Sequence, residues 1–151
     1  MKKIFYTMHF RGQTSPVTSD TKVLRTTASA TSSILHTHIR ESGIESELTA
    51  SDGQLAFLET EFQLKGGGAF EGSGTITLGE ESDHVLRLRT IQEGHVNTSI
   101  EPGTMTAISN WRVEGGEGRF ASTQGFINSI FTLTASGEFT DYQLGVLFVP
   151  E

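Results

Sequence analysis

An all-β fold is what this sequence predicts, and three observations carry that reading. Seventeen glycines punctuate short runs rich in Thr, Val, Ile and Phe, and there are only three prolines, Pro16, Pro102 and Pro150. No apolar period of three and four residues is sustained for two helical turns, although Thr31 to Arg40 is ambiguous. A long antiparallel sheet of eight or so twisted strands has edges to protect, and at this length the usual solutions are a barrel or a sandwich.

The strands follow from period-two alternation bounded by turn residues. They are expected at Val23 to Ala30, Leu35 to Arg40, Ile44 to Ala50, Gln54 to Leu64, Ala69 to Leu78, His84 to Gln92, Val96 to Ile100, Met105 to Val113, Gly125 to Ala135 and Glu138 to Val149. Ser51-Asp52-Gly53 and Ala135-Ser136-Gly137 read as hairpin turns, so neighbouring strands should pair in sequence order. Gly66-Gly67-Gly68 is also a hairpin loop, since no Lys-Ser/Thr and no helix follow to make a phosphate cradle. Alternation puts Leu58, Phe62, Leu64, Leu86, Leu88, Trp111, Tyr142, Leu144, Val146 and Phe148 on buried faces. A single domain over 1–151 accounts for the pattern, with residues 1–21 as a loose N-terminal segment.

Composition excludes several functions. A formal charge of −7 opposes phosphate backbones, so no nucleic-acid partner is expected. The chain has no cysteine, which removes disulfides, thiolate nucleophiles and Cys-type zinc sites together. No apolar run approaches the ~20 residues of a spanning helix, so no membrane partner is expected. The start, MKKIFYTMHFRG, is broken by Thr7, His9 and Arg11 and lacks a small-residue cleavage site, which points to a cytoplasmic protein.

Two segments, GSGTITLGE at 72–80 and GGEGRFASTQGFINSIFTLTASGEFTDYQLGVLF at 115–148, resemble the allene oxide cyclase and dirigent type of barrel. Within that superfamily the chain is most similar to small bacterial barrels that form a domain family of unknown function. Gly115, Gly116, Gly118, Phe120 and Gly125 match its glycine-rich step, while Thr123 and Gln124 stand where plant members usually carry an Ala-Arg pair. The resemblance implies a closed or nearly closed antiparallel barrel of about eight strands. It also implies an apolar lumen that shapes a polyene-type substrate, and association into dimers or trimers.

Candidate chemistry is sparse. His36 and His38 share a strand face and could hold a metal with a third ligand from a neighbouring strand. They lack the glutamate spacing and preceding glycine that cupin barrels use, so no metal and no cofactor are expected. Glu59 and Glu61 share one face, as do Arg87 and Arg89 two strands later. They form either an exposed wall of ion pairs worth ~0–1 kcal/mol each or, less favoured, a polar lining of the lumen. No Gly-x-Ser-x-Gly elbow is present, and the Gly116 to Phe120 step lacks the βαβ context of a dinucleotide site. Asn97-Thr98-Ser99 spells a glycosylation acceptor that matters only on secretion. The aromatic residues outnumber what a solvent face needs, and Phe62, Leu88, Trp111, Phe126 and Tyr142 are the candidates to line a ligand. Three functions remain: a barrel that binds an apolar or amphipathic small molecule, a cyclase or isomerase, and an interaction protein with a filled core.

Overall fold

The computed structural model describes residues 1–19, 22–79, 81–98 and 101–151. Eleven strands run in chain order: β1 (Lys2–Pro16), β2 (Val23–Ala30), β3 (Ser33–Arg40), β4 (Gly43–Ala50), β5 (Ala56–Gly66), β6 (Ala69–Leu78), β7 (His84–Thr90), β8 (Gly94–Thr98), β9 (Thr104–Glu117), β10 (Gln124–Thr134) and β11 (Glu138–Val149). A 3-10 turn at Gly118–Phe120 is the one helical segment among the described residues. The expected strand to Ile100 and the Asn97-Thr98-Ser99 triplet run into Ser99 and Ile100, which lie outside the described residues.

Eight strands close a ring in the order β10-β11-β1-β2-β5-β6-β7-β9, and β9 returns to β10 to seal it. Every neighbour is antiparallel. The short β8 is a ninth strand beside the ring: beyond the end of β7 it bonds to β9 and, through Ala69 and Phe70, to β6. Closure removes the sheet edges that an open array would expose.

Two expectations fail here. Residues 2–16 are not loose: β1 is the longest strand and pairs with β11 over Lys2 to Gln13. Its alternation is masked because Lys3, Thr7, His9 and Arg11 share the outer face with the apolar Phe5, while Ile4, Tyr6, Met8 and Phe10 face inward against the core. Ser51-Asp52-Gly53 does not close a hairpin between its flanking strands. Instead β5 pairs with β2, while β4 pairs with β3 to form a separate two-stranded arm. The arm is inserted between β2 and β5, so strand order departs from sequence order there. The turn at Ala135-Ser136-Gly137 does join β10 to β11.

The barrel interior is filled by alternate residues of every ring strand. Phe10, Leu58, Phe70, Ile76, Leu86, Trp111, Val113, Ile127 and Val149 are all fully buried. Gly72 is required where the β6 backbone passes this packing: a Cβ there would sit 2.9 Å from the Trp111 indole and 3.0 Å from the Phe62 ring. Among the described residues no helix is long and apolar enough to cross a membrane.

An apolar mouth and a buried carboxyl beneath it

At the end of the barrel where β1, β5 and β10 finish and β2, β6, β9 and β11 begin, the ring opens into a pocket of about 270 Å³. Its walls are Leu24, Leu64, Val96, Met105, Ala107 and Leu133, and its floor is made of Phe62, Phe70, Phe131 and Phe139. The four rings are locked together. Phe62 meets Phe70 edge-on at 5.4 Å and Phe131 at 5.4 Å, and Phe131 meets Phe139 at 5.3 Å. Such pairs add ~0.5–1.5 kcal/mol each beyond their burial. Below the floor Trp111 packs against Phe62 at 5.9 Å. The polar groups of the pocket are Thr14 and Thr26, whose hydroxyls bond to each other at 2.6 Å.

Behind Phe131 lies the most unusual group in the molecule. Asp141 is the cross-strand partner of Phe131 and points inward, 2% exposed. Ser129 Oγ donates to its Oδ1 at 2.5 Å and Gln143 Nε2 donates to its Oδ2 at 2.7 Å. The Tyr6 hydroxyl in turn donates to Gln143 Oε1 at 2.8 Å. Burial pushes the Asp141 carboxyl up from its ordinary 3.8 to about 6, against the downward pull of the Ser129 and Gln143 hydrogen bonds. Burial, and then the charge of Asp141, raise the Tyr6 phenol well above its usual range. Five further polar atoms are buried without a partner among the described residues: His9 Nε2, Thr60 Oγ1, Ser109 Oγ, Trp111 Nε1 and Thr123 Oγ1.

Of the ligand-lining residues expected from sequence, Phe62 lines the pocket, Trp111 backs it, and Leu88 is buried in the wall core away from it. Phe126 and Tyr142 are on the outside, 57% and 53% exposed. The faces of β11 are the reverse of those expected. Phe139, Asp141, Gln143, Leu147 and Val149 are buried, Tyr142 and Leu144 are exposed, and Val146 and Phe148 are only half-buried. The reversal has a physical cause: a carboxyl and an amide are tolerated inside because Ser129 and Tyr6, from two neighbouring strands, satisfy them. Leu64 stands at the pocket rim rather than deep in the core.

Glu59, Glu61, Arg87 and Arg89 are all exposed on the outer wall and none reaches the lumen. Nor do they pair with one another. β6 lies between their strands, with Thr75 separating Glu59 from Arg87 and Ser73 separating Glu61 from Arg89. Glu61 pairs with Arg25 at 3.7 Å, Arg87 with Glu117, and Arg89 with Glu114 at 3.4 Å.

His36 and His38 lie on the arm, opposite Glu47 and Glu45, and Glu45 pairs with Arg40 at 3.3 Å. Among the described residues no three metal-type donors come close enough to hold one ion.

Asp141, Gln143, Ser129 and Tyr6 were not singled out by sequence reasoning. The available signal was Asp141 itself, a charge in the middle of a strand and in phase with Phe139, Leu147 and Val149. No protein-family model, no curated protein and no solved structure matches this chain.

Proposed function

We propose that the protein binds a small apolar molecule in the open mouth of its barrel. The observation that carries this is the lining: ten large or aliphatic apolar side chains enclose about 270 Å³, with one mutually bonded threonine pair as the polar group. That volume is just below the ~300–1,000 Å³ usual for ligand sites and selects small ligands. The aromatic cluster fills the barrel below, so the ligand sits at the mouth rather than along a continuous lumen. The single tryptophan, Trp111, reports on it through Phe62. Titration with anilinonaphthalene sulfonate and with medium-chain alcohols is expected to change Trp111 fluorescence saturably. Ala107→Phe, which fills the pocket, is expected to abolish the change. A wild-type response that survives Ala107→Phe rules this site out.

A cyclase or isomerase acting on a polyene-type substrate is the second reading, and Asp141 favours it. Its carboxyl, pushed up to about 6 by burial, lies one cross-strand position behind the pocket residue Phe131 and outside the pocket lining, so a small shift of the Phe131 ring would bring a proton-active group to an otherwise inert cavity. In that reading Asp141→Asn keeps binding and loses turnover of a candidate polyene.

A further inference from the structure

The outer surface of the barrel is divided by chemistry. The outward positions of β5 and β7 carry Glu59, Glu61, Arg87 and Arg89. By contrast, the outward positions of β10 from Gln124 to Thr134 and of β11 from Thr140 to Phe148 carry no charge at all. With the flanking outward residues of β1 and β9 they form one wall, whose register aligns Phe5 with Phe126 through Val146, and Tyr142 with Ile130 and Ile108; charge enters only at its margins, where Lys3 lies over the Phe5 ring and Arg112 stands opposite Phe126. Six large side chains of this wall, Phe5, Ile108, Phe126, Ile130, Tyr142 and Leu144, are between 45% and 75% exposed. At roughly 200 Å² for a large side chain, they present about 700 Å² of apolar surface. The largest exposed patch on a monomer is usually ~300–600 Å², and each side of a standard interface covers ~800 Å². The wall exceeds the first figure and approaches the second before its polar groups are included.

We infer that this wall is a docking face for a second copy of the same chain, packed across a two-fold axis. Charge selects that occupant. Two chains of net charge −7 repel each other, so a contact between them must be free of charge at its centre, and the outward faces of β10 and β11 are. The polar groups within the wall are of the kind that match their own copy. Asn128 donates to Asn110 at 2.9 Å, and both amides keep further donors and acceptors; the Tyr142 hydroxyl offers both as well. A two-fold contact sets a surface against itself, which donor-acceptor groups satisfy and like charges do not. The Tyr142 ring is already held in place, stacked on His9 at 4.0 Å and 6°, so little side-chain freedom is lost on docking.

Sedimentation velocity of the full chain from about 1 to about 100 μM covers the weak end of the affinity range of interfaces of this size, which runs from about μM to pM. The expected result is a monomer–dimer equilibrium that Leu144→Glu and Phe126→Glu each weaken at least tenfold, with circular dichroism unchanged. Should either variant fail to fold, Asn128→Asp, at an exposed site, places two like charges across the contact and is expected to act in the same direction. Ile39→Glu on the arm serves as the control and is expected to leave association unchanged. The inference is overturned by a wild type that stays monomeric throughout, by wall variants that associate like the wild type, by dissociation in Ile39→Glu instead, or by a monomer that binds phosphatidylcholine vesicles through this wall.

Discussion

Strands β5 and β3 are both antiparallel, both alternate in sequence, and both pair with a partner of similar length, yet their surroundings are opposite. On β5 every second residue from Ala56 to Phe62 is buried, whereas on β3 every residue after Ser33 is exposed, Ile39 by 83%. The β5 ladder has a second layer, because ring closure brings the inner faces of the other ring strands against it. The β3–β4 arm has none beyond its base, where Ser33 Oγ donates to the Thr7 carbonyl, and its tip residues Ile39 and Ile44 oppose each other in solvent. Alternation therefore makes a strand, but burial and most of its stability come from what the ring places opposite.

The strongest way to break that comparison is to empty the ring. Phe70 is fully buried and contacts both Phe62 and Phe131. Phe70→Ala is expected to cost about 3–5 kcal/mol and to lower the melting temperature by about 10 °C, measured by calorimetry. A fall of only a degree or two would mean that the aromatic floor is loosely packed.

The ring also alters the acid that it encloses. The folded-state pKa of Asp141 is raised from 3.8 to about 6, so the folded protein holds the proton more tightly than the unfolded chain does. The protonated carboxyl favours folding fully below about pH 4, and that contribution disappears as pH rises to about 6 and beyond. At ~1.36 kcal/mol per unit the span is about 3 kcal/mol. Asp141→Asn removes it. The stability of the variant relative to wild type is expected to rise by about that amount between pH 4 and pH 7 in denaturant titrations, and a pH-independent difference would show that the carboxyl is not desolvated.

Next in size is the turn after β9. Gly118 has φ of 59°, and a side chain there would run into the Asp83 carbonyl oxygen and His84 Nδ1. Gly118→Val is expected to cost about 1–3 kcal/mol and to lower the thermal midpoint by several degrees. An unchanged midpoint would contradict a structural role for this glycine.

The smallest effect belongs to the arm. Ile39→Thr keeps a β-branched residue in an exposed ladder and is expected to move stability by less than about 0.5 kcal/mol. Hydrogen exchange sharpens the contrast: amides of residues 33–50 are expected to exchange well before those of β10, which is paired on both sides. Equal protection would show that the arm is covered in solution.

The sequence by itself determined the all-β class, nearly all of the strand spans, and the turns at residues 66–68 and 135–137, because each depends on a few adjacent residues and their backbone preferences. Alternation and turn signals left a barrel and a sandwich both open, and the pairing of β9 with β10 decides for the closed ring. Tertiary structure decided the rest. Period two separates two faces without saying which is inside. On β11 the face with Tyr142, Leu144, Val146 and Phe148 is the more apolar in sequence, but the face with Asp141 and Gln143 is the buried one, since Tyr6 and Ser129 arrive from β1 and β10 to satisfy it. The same holds for the pairing of β5 with β2 across the inserted arm and for the pocket mouth, whose walls come from residues as distant as Thr14 and Phe139. Such contacts join side chains far apart in the chain, and only closure of the ring brings them together.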